Sequence, residues 1–322
     1  MKKFLRRFGA GLLLACMLPL RVLAVRVLIP GGQIAGIRVD SGSVSIAGFD
    51  EKLGGPAREA GLQEGDRILK LDGRKTEDAE DIREILSSAG TETEAEILRN
   101  GEKRTLTLPV QRTPAGKKLG VYLRQGITGI GTVTYYDPQS GRFGCLGHGV
   151  SGEDGSLAPM KTGDLYPAQV ISVRIGLAGR PGQLMGALLE QTPEGTLRSN
   201  TARGVFGKTE RPVRGEPLPV AEESRVHTGP AVIRSTVAGT LVQEYSVEIL
   251  KIYPGKNGSG RNLLLEITDP ELLEATGGIV QGMSGSPILQ DGYLVGAVTH
   301  VLVSNPEKGY GILIENMLDA AA

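Results

Sequence analysis

The frequency and distribution of glycine most constrain what this chain can fold into. The sequence has 47 glycines among its 322 residues, about twice the usual ~7%. They follow no Gly-X-Y period and are not gathered in a low-complexity tract. Glycines spread in this way supply the tight turns that join short strands. The pattern therefore predicts a mainly β protein, and the length suggests about two domains.

Charge and residue usage argue against several classes of function. Lys plus Arg and Asp plus Glu each number 36, so no basic field is available to attract nucleic acid. Aromatic residues make up 4% and tryptophan is absent, which argues against a base-stacking surface. Cys16 lies in the N-terminal apolar segment, which leaves Cys145 alone, and the three histidines lack metal-ligand spacing. We expect no internal disulfide, no metal and no organic cofactor.

The first 24 residues have the organisation of an export signal. Four basic residues precede an apolar run, Phe8–Leu20, and a small residue, Ala24, ends the segment. A charged start, a short apolar run and a small residue at the end are typical of a cleaved signal peptide. An uncleaved signal anchor remains an alternative, although the run is short for a bilayer span of ~20 residues. Residues 1–24 therefore predict an exported protein that is secreted or tethered to a membrane.

Residues 25–112 are predicted to form a small α+β domain. Glycine, Asn-Gly and helix-capping signals separate its elements. The predicted elements are a helix at Pro56–Ala60, a strand at Asp66–Leu71, a helix at Asp78–Ser88 and a hairpin about Asn100-Gly101. A polar stretch at Gln111–Lys118 is interpreted as the linker to the second domain.

The segment Ala60–Gly73, AGLQEGDRILKLDG, closely resembles the central segment of PDZ domains. The loop Gly31–Ile37 resembles the PDZ carboxylate-binding loop, whose backbone N–H groups hold a peptide terminus beside an added strand. The resemblance implies a groove for a peptide or a C-terminus, from a partner or from this chain. The expected groove residues are Ile34, Gly36, Ile37, Val39 and Ile82. A glycine-rich α+β domain without a ligand is the alternative.

Residues 113–322 show short strands and glycine turns, which are typical of a β barrel or sandwich. Within them, Gly282-Met-Ser-Gly-Ser-Pro287 resembles the Gly-Asp-Ser-Gly-Gly-Pro nucleophile turn of trypsin-like peptidases. The resemblance makes Ser284 the nucleophile, with the N–H groups of Gly282 and Ser284 as the oxyanion hole. The following hairpin places Thr299 and His300 in the substrate cleft. The alternative is a Ser/Gly turn that merely precedes a hairpin.

A serine nucleophile needs an adjacent base, and histidine is the usual one near neutral pH. His148 lies N-terminal to the serine, as the trypsin-like order requires. His227 lies in a polar stretch, and His300 follows the serine on a cleft strand. Asp269, in Thr-Asp-Pro, is either the carboxylate that orients His148 or the N-cap of a short helix.

Four segments together resemble the stage IV sporulation B peptidases of endospore-forming bacteria. They are Thr268–Pro287, Gly126–Thr132, Leu146–His148 and Gly296–His300. The resemblance implies a PDZ domain followed by a trypsin-like double β-barrel and the triad His148, Asp269 and Ser284. It also implies export into the space between the two membranes around the forespore. There the family clips a membrane-bound regulatory protein, which releases an intramembrane protease that activates a late sigma factor. An exported PDZ scaffold without catalytic activity is the rival hypothesis.

Overall fold

The computed structural model describes residues 26–152, 155–255 and 260–321. The predicted signal segment, residues 1–24, lies outside the described residues. No helix in the described part of the chain is both long and apolar enough to cross a membrane.

The first half of the chain makes two strands, enters a small unit with two helices, and returns on a long strand. Its elements are β1 (Val27–Pro30), β2 (Ile34–Phe49), α1 (Gly55–Glu59), β3 (Arg67–Leu71), β4 (Arg74–Lys75), α2 (Ala79–Ser88), β5 (Glu92–Arg99), β6 (Glu102–Pro109), β7 (Gln111–Thr113), β8 (Gly116–Lys118) and β9 (Val121–Tyr136).

Among the described residues, the regular structure of the second half consists mostly of strands, with a 3₁₀ turn at Glu223–Arg225 and two short helices. Its elements are β10 (Arg142–Cys145), β11 (Thr162–Arg174), β12 (Gln183–Leu188), β13 (Gly195–Thr201), β14 (Gly204–Thr209), β15 (Leu218–Pro219), β16 (Gly229–Ser235), β17 (Gln243–Ile252), β18 (Leu263–Ile267), α3 (Pro270–Thr276), β19 (Pro287–Gln290), β20 (Tyr293–Val301), β21 (Lys308–Leu313) and α4 (Ile314–Ala320).

Six antiparallel strands close the first barrel in the order β2, β9, β10, β14, β13 and β11, with β11 returning to β2. Its interior is packed with apolar side chains such as Val133, Phe143 and Leu165, each at most 1% exposed. Closure leaves no free edge between neighbouring strands of the ring. The barrel is therefore a rigid frame for the loops at its rim.

Six further strands close the second barrel in the order β16, β17, β18, β21, β20 and β19. Its core includes Ile233, Ile249 and Leu265, each fully buried. The predicted mainly β fold with a double barrel is confirmed. The nucleophile turn lies directly before β19, and β20 follows it as the other arm of a hairpin.

The PDZ unit, residues 41–125, is inserted into the first barrel rather than placed before it. β2 and β9 are each 16 residues long, and their first pairings, Ile34–Val39 with Ile127–Thr132, belong to the barrel. Beyond a register shift they pair again at 44–49 with 121–125, where their side chains join the PDZ core. The predicted boundaries, PDZ at 25–112 and peptidase at 113–322, therefore differ from the structure.

The insertion also corrects the predicted peptide groove. Residues 34–39 bond to β9 on one side and to β11 on the other, so no edge is open there for an added strand. Ile34, Ile37 and Val39 are at most 3% exposed within the barrel region. A Cβ on Gly36 would lie 2.3 Å from the Leu188 side chain, because β12 packs against this face. These four residues are barrel residues, and the glycine pattern of Gly31–Ile37 reflects close packing.

Inside the PDZ unit the local predictions hold. α1 and α2 fall within one residue of the predicted helices, and Asp78 with Asp81 forms a capping box at α2. Asn100 and Gly101 both have positive φ, at 50° and 81°, as a two-residue hairpin turn requires. Ile82 is 3% exposed and belongs to the PDZ core. These elements were predictable because short-range backbone preferences decide them.

Candidate active site

The nucleophile turn presents one serine hydroxyl to the cleft and buries another. Gly282 and Gly285 adopt φ values of 101° and 98°, which only glycine adopts without strain. Ser284 Oγ donates a hydrogen bond of 2.8 Å to the carbonyl oxygen of Thr299 on β20. Ser286 is fully buried, and its hydroxyl bonds to the Ser235 hydroxyl at 3.0 Å. The geometry thus distinguishes Ser284, the candidate nucleophile, from Ser286, which is structural.

Thr132, on β9 of the first barrel, fixes the nucleophile turn of the second. Its backbone N–H donates to the Ser284 carbonyl at 2.9 Å, and its hydroxyl donates to the Gly282 carbonyl at 2.8 Å. Thr132 is fully buried, so these bonds are shielded from water and are costly to leave unmade. No motif in the sequence marks this role, because the contact joins residues 150 positions apart.

The turn leaves two backbone donors available. The Met283 amide donates to Val280, the Gly285 amide to Val298 and the Ser286 amide to Met283. Among the hydrogen bonds of the described residues, none uses the N–H groups of Gly282 and Ser284. Two unpaired amides beside a serine hydroxyl are what an oxyanion hole requires. The predicted pair Gly282 and Ser284 stays a prediction that this geometry supports.

His148 follows β10 in a tight turn at the rim of the first barrel. Leu146 and Gly147 both have positive φ, at 69° and 68°, and a Cβ on Gly147 would lie 2.8 Å from the Thr299 side chain. The turn is therefore pressed against the cleft strand of the second barrel. Nδ1 of His148 lies 2.9 Å from the Gly149 carbonyl oxygen. Because a carbonyl can only accept, Nδ1 carries the proton and Nε2 holds the lone pair.

The predicted cleft residues join the serine to the histidine. The Thr299 carbonyl accepts a hydrogen bond from the Ser284 hydroxyl. The ring of the adjacent His300 lies 5.1 Å from the His148 ring, centre to centre. Burial lowers the pKa of His148 below its usual value. Burial, then the neighbouring His148 and Arg261, lowers the pKa of His300 to about 4. His148 is therefore neutral near pH 7, the state that a general base needs.

The structure does not join Asp269 to His148. One carboxylate oxygen of Asp269 accepts from the Glu271 and Leu272 amides at the start of α3, both at 3.1 Å. The other accepts from the Ser246 amide at 3.2 Å. No carboxylate among the described residues contributes to the pKa of His148. The alternative reading as a helix cap is the one that the structure displays, and the predicted triad contact is absent from it.

Asn200, on β13, holds the loop that follows His148. Its amide nitrogen donates to the Val150 and Ala158 carbonyls, and its amide oxygen accepts from the Val150 N–H, all at 2.8 Å. These three bonds join both ends of the loop to the barrel wall. Asn200 therefore acts on the base indirectly, by fixing the chain two residues after it. No motif in the sequence marks this residue.

An open strand edge does exist in the PDZ unit, on β9 rather than on β2. Residues 121–125 pair with β2 on one side, and no strand among the described residues pairs with the other side. Val121 and Leu123 pack into the same core as Ile82 of α2. Gly120, at φ 73°, precedes the strand within Leu119-Gly120-Val121. That apolar–glycine–apolar triplet, directly after the predicted linker, is the signal in the sequence that marks this strand.

Two closed barrels with a serine turn, a neutral histidine and free amides at their junction define a trypsin-like serine peptidase. A family model described as SpoIVB peptidase S55 matches residues 115–318, and a PDZ domain model matches residues 51–108. The first covers more than half of the chain. The chain belongs to the SpoIVB peptidase S55 family and is a serine endopeptidase with a PDZ domain.

Solved structures give distant similarities. The Rv3671c protease of M. tuberculosis, in its active form, is 16% identical with a TM-score of 0.38, covering 60% of this chain and 72% of that one. Its inactive form is 15% identical with a TM-score of 0.36, covering 59% and 81%. The PDZ domain of an SdrC-like protein from Listeria monocytogenes is 15% identical with a TM-score of 0.22, covering 25% and 85%. No curated protein sequence matches the chain.

Proposed function

We propose that this chain is an exported sporulation-signalling protease. It cleaves a membrane-associated regulatory protein, and the cleavage frees an intramembrane protease that processes a late sigma factor. Membership of the SpoIVB peptidase S55 family carries the proposal. The export signal predicted at residues 1–24 supports a location between the two membranes around the forespore. The open edge of β9 beside α2 would receive an extended peptide from the regulator or from this chain.

The proposed mechanism is acyl transfer. The Ser284 hydroxyl turns from the Thr299 carbonyl toward Nε2 of His148 and attacks a peptide carbonyl, while His148 takes its proton. The N–H groups of Gly282 and Ser284 receive the oxyanion. His148 then returns the proton to the leaving amine, and water releases the acyl group from Ser284. In this scheme the Gly149 carbonyl, rather than a carboxylate, accepts the hydrogen bond from Nδ1–H of His148.

A fluorophosphonate probe tests the site, because it labels only an activated serine. We expect Ser284→Ala to abolish labelling and to lower peptide hydrolysis by roughly 10⁴-fold or more. Ser286→Ala is the matched control, since it removes a buried hydroxyl that bonds to the Ser235 hydroxyl rather than facing the cleft. It should cost about 1 kcal/mol of stability and keep most of the activity. If Ser286→Ala alone lost labelling, the nucleophile would be misassigned.

The signalling role needs a test in cells. The chain would replace the corresponding family member of an endospore former, and processing of the late sigma factor would be followed by immunoblot. We expect the wild-type chain to restore processing and Ser284→Ala to fail. Restoration by both would favour the rival hypothesis, an exported PDZ scaffold whose catalytic activity is dispensable. Failure of both, with the wild-type protein labelled by the probe, would separate the peptidase from this signalling role.

A further inference from the structure

We propose that His148 and His300 together bind a Zn²⁺ ion, which switches the peptidase off. The inhibitory part of this inference rests on His148 being the catalytic base. The metal-binding part does not, because it follows from the placement of two imidazoles. Among the described residues no group of three or more His, Cys, Asp or Glu side chains could hold a metal. The site would therefore have two protein ligands, with water completing the coordination.

The spacing of the two rings fits a shared metal. Two imidazoles on one tetrahedral Zn²⁺, with Zn–N bonds of about 2.0–2.1 Å, have ring centres roughly 5 Å apart. The His148 and His300 ring centres are 5.1 Å apart, and the ring planes are tilted by 38°. The rings are therefore not stacked in parallel, and the distance between their centres matches the distance expected for two histidines on one metal ion.

The hydrogen bonds also fit. His148 donates from Nδ1 to the Gly149 carbonyl, and a metal-bound histidine usually donates its other ring N–H in this way. Nε2 is left with its lone pair, because the Ser284 hydroxyl donates to Thr299 instead. Nδ1 of His300 is buried without a hydrogen-bond partner among the described residues. A buried polar atom without a partner calls for an explanation, and a metal ion in the cleft provides one.

The consequence follows from the chemistry of one atom. Nε2 of His148 must accept the Ser284 proton during attack. A lone pair that is bound to Zn²⁺ cannot accept a proton, so metal and catalysis exclude each other. The metal would leave the fold and the PDZ unit unchanged and would be reversed by a chelator.

The binding arm of the experiment uses Ser284→Ala protein, so that proteolysis cannot interfere. Competition with a chromogenic chelator measures Zn²⁺ affinity, and the visible absorption of Co²⁺ reports tetrahedral nitrogen ligands. We expect one metal per chain, bound in a tetrahedral site with two nitrogen ligands from the protein. His148→Gln and His300→Gln, each added to Ser284→Ala, should weaken binding at least tenfold with the melting temperature retained.

His227→Gln is the matched control. His227 is an exposed histidine whose Nε2 lies 2.8 Å from an Asp291 carboxylate oxygen, so it is the competing place for a metal. Binding that is lost with His227→Gln and kept with His300→Gln overturns the proposal. Absence of binding up to 1 mM metal overturns it as well.

The inhibition arm uses the wild-type chain. Zn²⁺ should block fluorophosphonate labelling, EDTA should restore it, and Mg²⁺ should have no effect, since Mg²⁺ prefers oxygen ligands. Labelling that persists at saturating Zn²⁺ overturns the inhibitory part. If the wild-type chain is never labelled, the peptidase site fails, while the binding arm still decides whether the two histidines hold a metal.

Discussion

At the scale of single residues, the sequence predicts the functional residues that lie within a short, recognisable motif. Ser284, Gly282 and His148 lie within glycine-rich turns, and the structure brings all three to the junction of the barrels. Thr132 and Asn200 were not predictable in this way. Each acts through contacts with carbonyls or amides far along the chain, and an isolated threonine or asparagine carries no local signal of such a contact.

Thr132 should position the oxyanion hole. Thr132→Val keeps the shape and the backbone N–H but removes the hydroxyl that holds the Gly282 carbonyl. Loss of a whole oxyanion donor costs ~10²–10³ in kcat, so a loosened donor should cost roughly 10-fold. Steady-state kinetics should show a lower kcat with KM nearly unchanged, because the interaction matters mainly in the transition state.

Thr236→Val is the control for this change. Thr236 is equally buried, and its hydroxyl also joins distant parts of the chain, donating to the Gly32 carbonyl at 3.0 Å. That hydrogen bond does not involve the nucleophile turn. Equal losses of kcat in the two variants would show that Thr132 contributes through general packing and does not position the oxyanion hole.

Asp269 should behave as a cap. Asn is about as good an N-cap as Asp, whereas Ala costs roughly 1 kcal/mol. We expect Asp269→Asn to keep its melting temperature and most of its turnover, and Asp269→Ala to lose stability. In a triad, by contrast, Asn would lower kcat by about 10⁴. A folded Asp269→Asn protein with such a loss would show that the carboxylate reaches His148 during catalysis.

At the scale of elements, helices and hairpins were predictable and strand partners were not. α2 and the Asn100-Gly101 hairpin depend on caps and turns within a few residues. β2 depends on β9, β11 and β3, which lie elsewhere in the sequence. A run of alternating residues indicates a strand without naming its neighbours. The glycines of Gly31–Ile37 therefore resemble a PDZ loop in sequence, whereas residues 34–39 lie in the first barrel.

The corrected groove predicts where a peptide strand would add. Hydrogen exchange with and without a bound peptide should show new protection in residues 121–125, because their outer backbone groups have no strand partner among the described residues. Residues 34–39 should show no change, since their backbone is already bonded on both sides. New protection at residues 34–39 instead would support the groove that the sequence predicts at those residues.

At the scale of the whole molecule, the insertion makes the PDZ unit and the first barrel share two strands. β9 carries the open peptide edge near its start and Thr132, which holds the nucleophile turn, near its end. The two units therefore meet through continuous backbone rather than through a flexible linker. Gly42 and Gly126, at φ 65° and 71°, lie where the strands pass from one unit to the other.

This arrangement predicts which deletions the fold survives. A Cβ on Gly126 would lie 3.4 Å from the Asp40 Cα, so the chain enters and leaves the PDZ unit at nearly the same point. Removing residues 41–125 and joining Asp40 to Gly126 through Asn-Gly would turn β2 and β9 into a simple hairpin. All six strands of the first barrel would remain. We expect a cooperative melt and fluorophosphonate labelling, with loss of peptide binding.

Removal of residues 25–112, the unit suggested by the sequence, is the informative contrast. It deletes β1 and β2 and opens the ring between β9 and β11, which exposes two unpaired edges and the apolar interior. That variant should aggregate or melt without cooperativity. It should do so although it keeps residues 113–125, which the 41–125 excision removes. A folded, labelled 113–322 protein beside an unfolded excision variant would contradict the insertion, because the barrel would then close without β2.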